Sequence, residues 1–121
     1  MDSAAVRRRL GVPDSITLLD NPWKPPDKIA AWYYRDLRIA LTDKVIGVMM
    51  YGPSVATRRG LRVGDTGKRV ETLYGVPNPL DRSETEWWYR DPVSSATADH
   101  VILVELSNGV VQSIYVGWYT D

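Results

Sequence analysis

The chain has 121 residues, no cysteine, and 15 basic side chains that cancel 15 acidic ones. That length suits one domain, residues 1–121, burying about two-thirds of the surface its unfolded form exposes. The balanced charge removes the broad basic surface that a dedicated nucleic-acid or anionic-membrane binder needs. No cysteine means no disulfide, thiolate ligand or thiol nucleophile, and the chain suits either redox compartment.

No apolar run approaches the roughly 18 residues of a membrane span, and the three arginines of Met1–Leu10 precede no apolar segment. Neither a signal peptide nor membrane insertion is expected; the location is extracytoplasmic if a leader has been removed and cytoplasmic otherwise.

In chain order, Met1–Leu10 predicts a helix capped by Asp2 or Ser3, with Val6 and Leu10 facing inward and Gly11 and Pro13 closing it. Ile16–Leu19 is an edge strand or a loop, and the three prolines of Asn21–Asp27 make that stretch a loop. Ala31-Trp32-Tyr33-Tyr34-Arg35-Asp36 is an aromatic-rich alternating run of the kind that forms strands. Leu37–Thr42 and Val45–Tyr51 then flank a turn at Asp43-Lys44.

Gly60–Pro77 predicts a second helix over about residues 66–74, capped by Asp65 and closed by Gly75, with Val70, Leu73 and Tyr74 on one stripe and Lys68 and Arg69 away from it. Glu86-Trp87-Trp88-Tyr89-Arg90-Asp91 reads as a strand, and Ile102–Ser107 and Val110–Val116 flank Asn108-Gly109, a strong hairpin signal.

These elements repeat. Gly11-Val12-Pro13 returns as Gly75-Val76-Pro77, 64 residues on; the aromatic strand returns after 55 and the final hairpin after 65. The offsets place nine extra residues before the first aromatic strand and ten after Arg90-Asp91, both in predicted loops. The expected fold is α+β: two tandem units, residues 1–51 and 60–119 joined by 52–59, each a helix plus a three-stranded antiparallel meander, with the helices packed on one face of a curved sheet.

The Gly60-Leu61-x-x-Gly64-Asp65 lead-in, a helix ending Tyr74-Gly75-Val76-Pro77, the Trp87-x-Tyr89 strand and a hairpin ending Asn108-Gly109-Val110-Val111-Gln112-Ser113-Ile114 resemble the β-lactamase-inhibitor-protein-like fold. That superfamily includes small outer-membrane assembly lipoproteins. The match covers residues 60–118 directly and 1–51 through the internal repeat; the first unit lacks the lead-in, and the lipoprotein cysteine and leader are absent. The resemblance implies a non-catalytic bacterial binding domain that meets another protein on a sheet face, and no inhibitory residue carries over.

Alternation puts Leu37, Ile39 and Leu41 with Ile102, Val104 and Leu106 on the helix side, along with Trp32, Tyr34, Trp87 and Tyr89. Tyr33, Arg35, Trp88 and Arg90 then occupy the opposite, open face and are the candidate binding residues, since aromatic and arginine side chains are typical interface anchors. Their partner is another protein or a second copy of the chain. A purely structural alternative stacks Tyr33 on Trp88 across strands, with the arginines over them. The third strands are apolar at nearly every position and call for cover.

A second functional reading is a small-ligand or glycan module in which Trp88, Tyr33 and Trp23 stack on sugar rings. An enzyme is the third. His100 is the only histidine, beside Asp99 at a strand entry, and Glu84 and Glu86 alternate on one side of a strand as an acid/base or metal-binding pair or, alternatively, a solvated rim. Gly64–Lys68 is no phosphate loop, because Arg62 and Arg69 stand where that motif needs glycine and a hydroxyl residue. Asp14, Asp20 and Asp27 are too dispersed for a calcium loop. No catalytic residue, cofactor or metal ligand is expected.

Overall fold

A computed structural model of the chain describes residues 2–91 and 99–119, with side chains for all of these except 91, 99, 100, 118 and 119. Two short helices are set by the same local chemistry. Helix α1 (Ser3–Leu10) starts where Asp2 accepts the Ala5 N–H at 2.9 Å and ends at Gly11, whose φ of 81° only glycine takes up without strain. Helix α2 (Gly67–Tyr74) starts where Thr66 Oγ1 accepts the Arg69 N–H at 3.3 Å and ends at Gly75 with φ 87°.

The cap is thus Thr66 and not Asp65, whose carboxylate accepts the Arg62 N–H at 2.9 Å and ties the preceding turn instead. The inward pair expected of α1 also reduces to Val6, because the chain turns at Gly11 and leaves Leu10 exposed.

Among the described residues there are seven strands: β1 (Ser15–Asp20), β2 (Lys28–Tyr34), β3 (Leu37–Leu41), β4 (Val45–Met50), β5 (Glu86–Asp91), β6 (Asp99–Ser107) and β7 (Val110–Tyr119). They form one antiparallel sheet in the order β1-β2-β3-β4-β7-β6-β5, so the fold is α+β and mostly sheet. Ile16–Leu19 lies within an edge strand, and four strands, not three, precede the segment joining the halves. The ten-residue excess inferred after Asp91 falls mainly on residues 92–98, outside the described residues.

Strand alternation gives the sheet two distinct sides. Leu37, Ile39, Leu41, Ile102, Val104 and Leu106 are all buried, in one cluster with Trp32, Trp87, Leu61, Ile114, Val6 of α1 and Val70 of α2. Two tyrosines tie the helix ends to this side: the Tyr34 hydroxyl donates to the Gly11 carbonyl and the Tyr89 hydroxyl to the Gly75 carbonyl, each at 2.9 Å. The Arg7 guanidinium lies 5.4 Å from the Trp32 ring centroid, and that of Arg82 lies 4.3 Å from Trp87's.

The two inner hairpins differ by one residue. Leu41 pairs with Val45 around residues 42–44, whereas Leu106 pairs with Val111 around residues 107–110, with a register shift beside each pair. The turn at Asn108-Gly109 has φ values of 53° and 74°, the left-handed pair that a tight hairpin needs. Ile39 faces Val48 and Val104 faces Ile114, on the same side, so the facing positions of the third strands are spaced by 66 and not 65. A one-residue slip exchanges the faces, which is why the sequence alone left the buried side of these strands open.

After β4, the chain is fastened to the β2–β3 turn. The Asp36 carboxylate accepts the Ser54 N–H at 3.1 Å and fills the space a Cβ on Gly52 would need. Hydrogen bonding by Ser54 holds this carboxyl below the usual range, with Arg35 adding to the effect against a smaller opposing contribution from burial.

Trp32 and Trp87 are 7% and 6% exposed. Truncating either to alanine is expected to cost about 3 to 5 kcal/mol in urea unfolding; a loss under about 1 kcal/mol would place that ring outside the core.

Candidate functional site

The side of the sheet away from Val6 and Val70 carries a row of residues in register across all seven strands. Ser15 pairs with Tyr33, Tyr33 with Arg38, Arg38 with Met49, Met49 with Tyr115, Tyr115 with Leu103 and Leu103 with Trp88. Paired residues share a face, so these side chains stand in line. The neighbouring row, Thr17, Ala31, Ala40, Gly47, Gly117, Val101 and Arg90, is made mostly of small residues. The face is therefore a ridge of large side chains beside a low strip.

Tyr115 shapes its centre. A Cβ on Gly47 would come within 2.6 Å of the Tyr115 hydroxyl, and one on Gly117 would also collide with that ring. The ring thus lies over the facing glycine pair at the β4–β7 seam and takes the place of their missing side chains. Burial raises the Tyr115 hydroxyl above its ordinary pKa of 10.0, against an opposing pull from Arg38.

Of the four residues expected on this face, three are there: Tyr33, Trp88 and Arg90. Arg35 is not. The β2–β3 hairpin closes through Arg35-Asp36, with Asp36 at φ 65°, so Arg35 sits exposed in the turn instead of continuing the strand. The alternative stacking of Tyr33 on Trp88 is excluded: they stand on β2 and β5, five strand positions apart, or about 24 Å at the usual strand spacing. The same separation prevents them from enclosing one sugar ring, and Trp23 lies exposed in the β1–β2 loop.

Arg38, Met49, Leu103 and Tyr115 were not singled out by sequence. Alternation set Arg38 and Leu103 opposite the helix-side residues but left the faces of Met49 and Tyr115 open, and only the strand order β4-β7 shows that the four join Tyr33 to Trp88.

At the β5 end, Leu80, Asp81, Trp88, Tyr89, Arg90 and Val101 line a hollow of about 310 Å³ that wraps the sheet edge. Leu80, in the short 3-10 turn Pro79–Asp81, is 94% exposed there. Further along the same face Glu86 pairs directly with Glu105. A like-charge pair at directly opposed positions costs a sheet a few tenths of a kcal/mol or more. The β5–β6 end thus runs from carboxylates through Trp88 and Leu103 to Arg90.

The carboxylates and the histidine named from sequence are placed as follows. Glu84 lies in the turn before β5 and Glu86 within the strand, so they do not alternate along one strand. Asp99 and His100 belong to β6 by backbone pairing, and their side chains lie outside the described residues. Among the described residues no group of three or more His, Asp or Glu side chains is placed to hold a metal ion, and no helix is long and apolar enough to cross a membrane. On the helix side, a cleft of about 590 Å³ opens between Leu18, Ala30 and Leu41, rimmed by Asn21, Lys24, Asp27, Lys28, Thr42 and Asp43. Two of its cations are already engaged, Lys28 by Asp20 and Lys24 by Asp27 at 3.7 Å.

No known protein family, curated protein or solved structure matches the chain.

Tyr89, which lines the hollow and ties α2 to the sheet, gives a pH test. Burial, helped by Glu71 and opposed by Arg82, pushes its hydroxyl up to about 12 from an ordinary 10.0. The folded form holds this proton more tightly than the unfolded chain, so its stabilising effect is complete below pH 10 and is lost as pH rises towards 12. Thermal stability is expected to fall across that window, and Tyr89→Phe is expected to flatten the fall. An unchanged pH dependence in Tyr89→Phe would contradict the assignment.

Proposed function

We propose that the chain is a non-catalytic protein-interaction domain that binds a partner protein across the open sheet face. The observation that carries this reading is the seven-strand row in which Tyr33, Arg38, Met49, Tyr115, Leu103 and Trp88 stand in register with neither helix over them. The helix-side cluster draws on the other side of each of these strands, and on the open side it is the low strip, Ala31 and Val101, that is buried. Aromatic, methionine and arginine side chains placed together on the remaining side have the composition of an interface core.

The shape supports a protein over a small ligand. A row about 29 Å long, from six strand spacings, is on the scale of a protein interface and far longer than a sugar ring. The paired carboxylates Glu86 and Glu105 and the guanidinium of Arg90, at opposite ends of the Trp88 neighbourhood, favour a partner with the reverse order of charge.

The reading extends to architecture. We take the chain as two helix-plus-meander units with their helices on one side of a curved sheet, a domain of the β-lactamase-inhibitor-protein-like kind. Support comes from features that recur in both halves: a capped eight-residue helix ending in a left-handed glycine, one buried valine at its middle, and a tyrosine hydroxyl bonded to that glycine's carbonyl. Strand β1 is then an addition to the first unit.

The test is quantitative capture of binding proteins from the native host by wild type, Trp88→Ala, Tyr33→Ala and Val76→Ala, with folding checked by thermal melts. Val76 is 72% exposed beyond the end of α2, away from the row. Each row variant is expected to lose about 2 kcal/mol of binding, or about thirtyfold in affinity, and the two losses to add because the sites are far apart. Val76→Ala is expected to bind as wild type does. Folded row variants that retain every partner would overturn the proposal.

A further inference from the structure

The two edges of the sheet are built differently. The outer edge of β5 is covered at its start by the chain itself: Ser83 donates its N–H to the Glu86 carbonyl at 2.8 Å, and Arg82 bridges to Trp87. Its residues Glu86, Arg90 and Asp91 are charged. Closing an edge with a turn and charging it are two standard ways to stop strand addition.

Strand β1 has neither protection. All six of its residues are exposed, and among the described residues it pairs only with β2. Ser15–Leu19 contains no charge, proline or glycine. Ile16, Leu18 and Leu19 are 48%, 65% and 47% exposed. The one carboxylate of the strand, Asp20, is engaged by Lys28 at its end. Alternate residues of an antiparallel edge strand turn both N–H and C=O outward, so about half of β1 offers unpaired backbone donors and acceptors.

We propose that β1 pairs antiparallel with β1 of a second copy of this chain, joining two seven-stranded sheets into one. A two-fold axis normal to the sheet keeps the faces of both copies aligned, so facing residues must be of the same parity. An axis through Thr17 meets that condition and sets Ile16 against the second copy's Leu18 on the helix side, and Ser15 against its Leu19 on the other. No charge lies within the paired stretch from Ser15 to Leu19. The same register sets Asp20 against the second copy's Asp14 at each end, which keeps the contact short, while the uncharged stretch between them selects another copy over a charged partner strand, and the part-covered, charged β5 edge stops the assembly at a dimer. The proposal is independent of the open-face reading.

Sedimentation of the whole chain from about 1 µM to about 500 µM is expected to show a reversible dimer, weak because the contact is narrow. Leu18→Lys is expected to weaken it at least about tenfold. Leu18 is mostly solvent-exposed, so Leu18→Lys should keep the wild-type melt. Because the chain has no cysteine, Thr17→Cys under mild oxidation should give a disulfide-linked dimer, since the residue on the axis faces itself within bonding range. Trp88→Cys should not, and should leave the reversible dimer intact. A wild-type chain that stays monomeric over this range, whether or not its edge takes up an extended peptide from another protein, overturns the proposal. So does a folded Leu18→Lys chain that dimerises as wild type does, or a dimer that cross-links through Trp88→Cys and not Thr17→Cys.

Discussion

Gly47–Met50 pairing antiparallel with Ile114–Gly117 is the contact on which the rest of the structure depends. Strands β4 and β7 are each the last strand of their half. Left apart, each would present an inner edge of unpaired backbone groups and an apolar surface too small to bury much. Joined, they turn two hairpin systems into one seven-stranded sheet with a single buried cluster beneath it. The seam also explains a local oddity. Two glycines face each other at its end, Gly47 and Gly117, where close-packed side chains would be expected, and the Tyr115 ring occupies the space above them.

The two sides of this sheet answer to different demands. The helix side holds Val6, Val70, both core tryptophans and the aliphatic rows of β3 and β6, and its few polar groups are satisfied: the Tyr34 and Tyr89 hydroxyls reach helix-end carbonyls, and the Tyr74 hydroxyl reaches Thr57 Oγ1 at 2.8 Å. The other side has a ridge whose large members, Tyr33, Arg38, Met49, Tyr115 and Trp88, are not part of the main cluster except through the backbone they share. A face that combines a directly opposed carboxylate pair with an aromatic ridge is poorly explained by stability alone. That is the ground on which we propose it as a surface for contact with another protein.

How much of this was legible in the sequence depended on the range of the interaction. Local signals were read well: Gly11 and Gly75 end their helices, Asn108-Gly109 makes its turn, and the period-two pattern of Leu37, Ile39 and Leu41 marks a buried face. The Asp65 and Arg35 misreadings were failures of local competition. The carboxylate of Asp65 had a nearer amide to satisfy at Arg62, and the strand ended at Tyr34 because Asp36 takes a left-handed conformation. The long-range misreadings came from topology. Tyr33 and Trp88 occupy matching places in similar strands, which suggests proximity, but the β4–β7 junction places those strands far apart in the sheet. For the same reason Met49 and Tyr115, ordinary residues of apolar strands when read alone, become the centre of the candidate face only when the strand order is known.

The central claim, that one continuous row across the sheet meets a partner, is tested most directly by hydroxyl-radical footprinting of the chain alone and in extract of its native host. The account predicts that Tyr33, Met49, Tyr115 and Trp88 become protected together while Trp23, 66% exposed in the β1–β2 loop, reacts equally in both samples. Protection confined to Trp23, or no change at any residue of the row when a partner is bound, would contradict it.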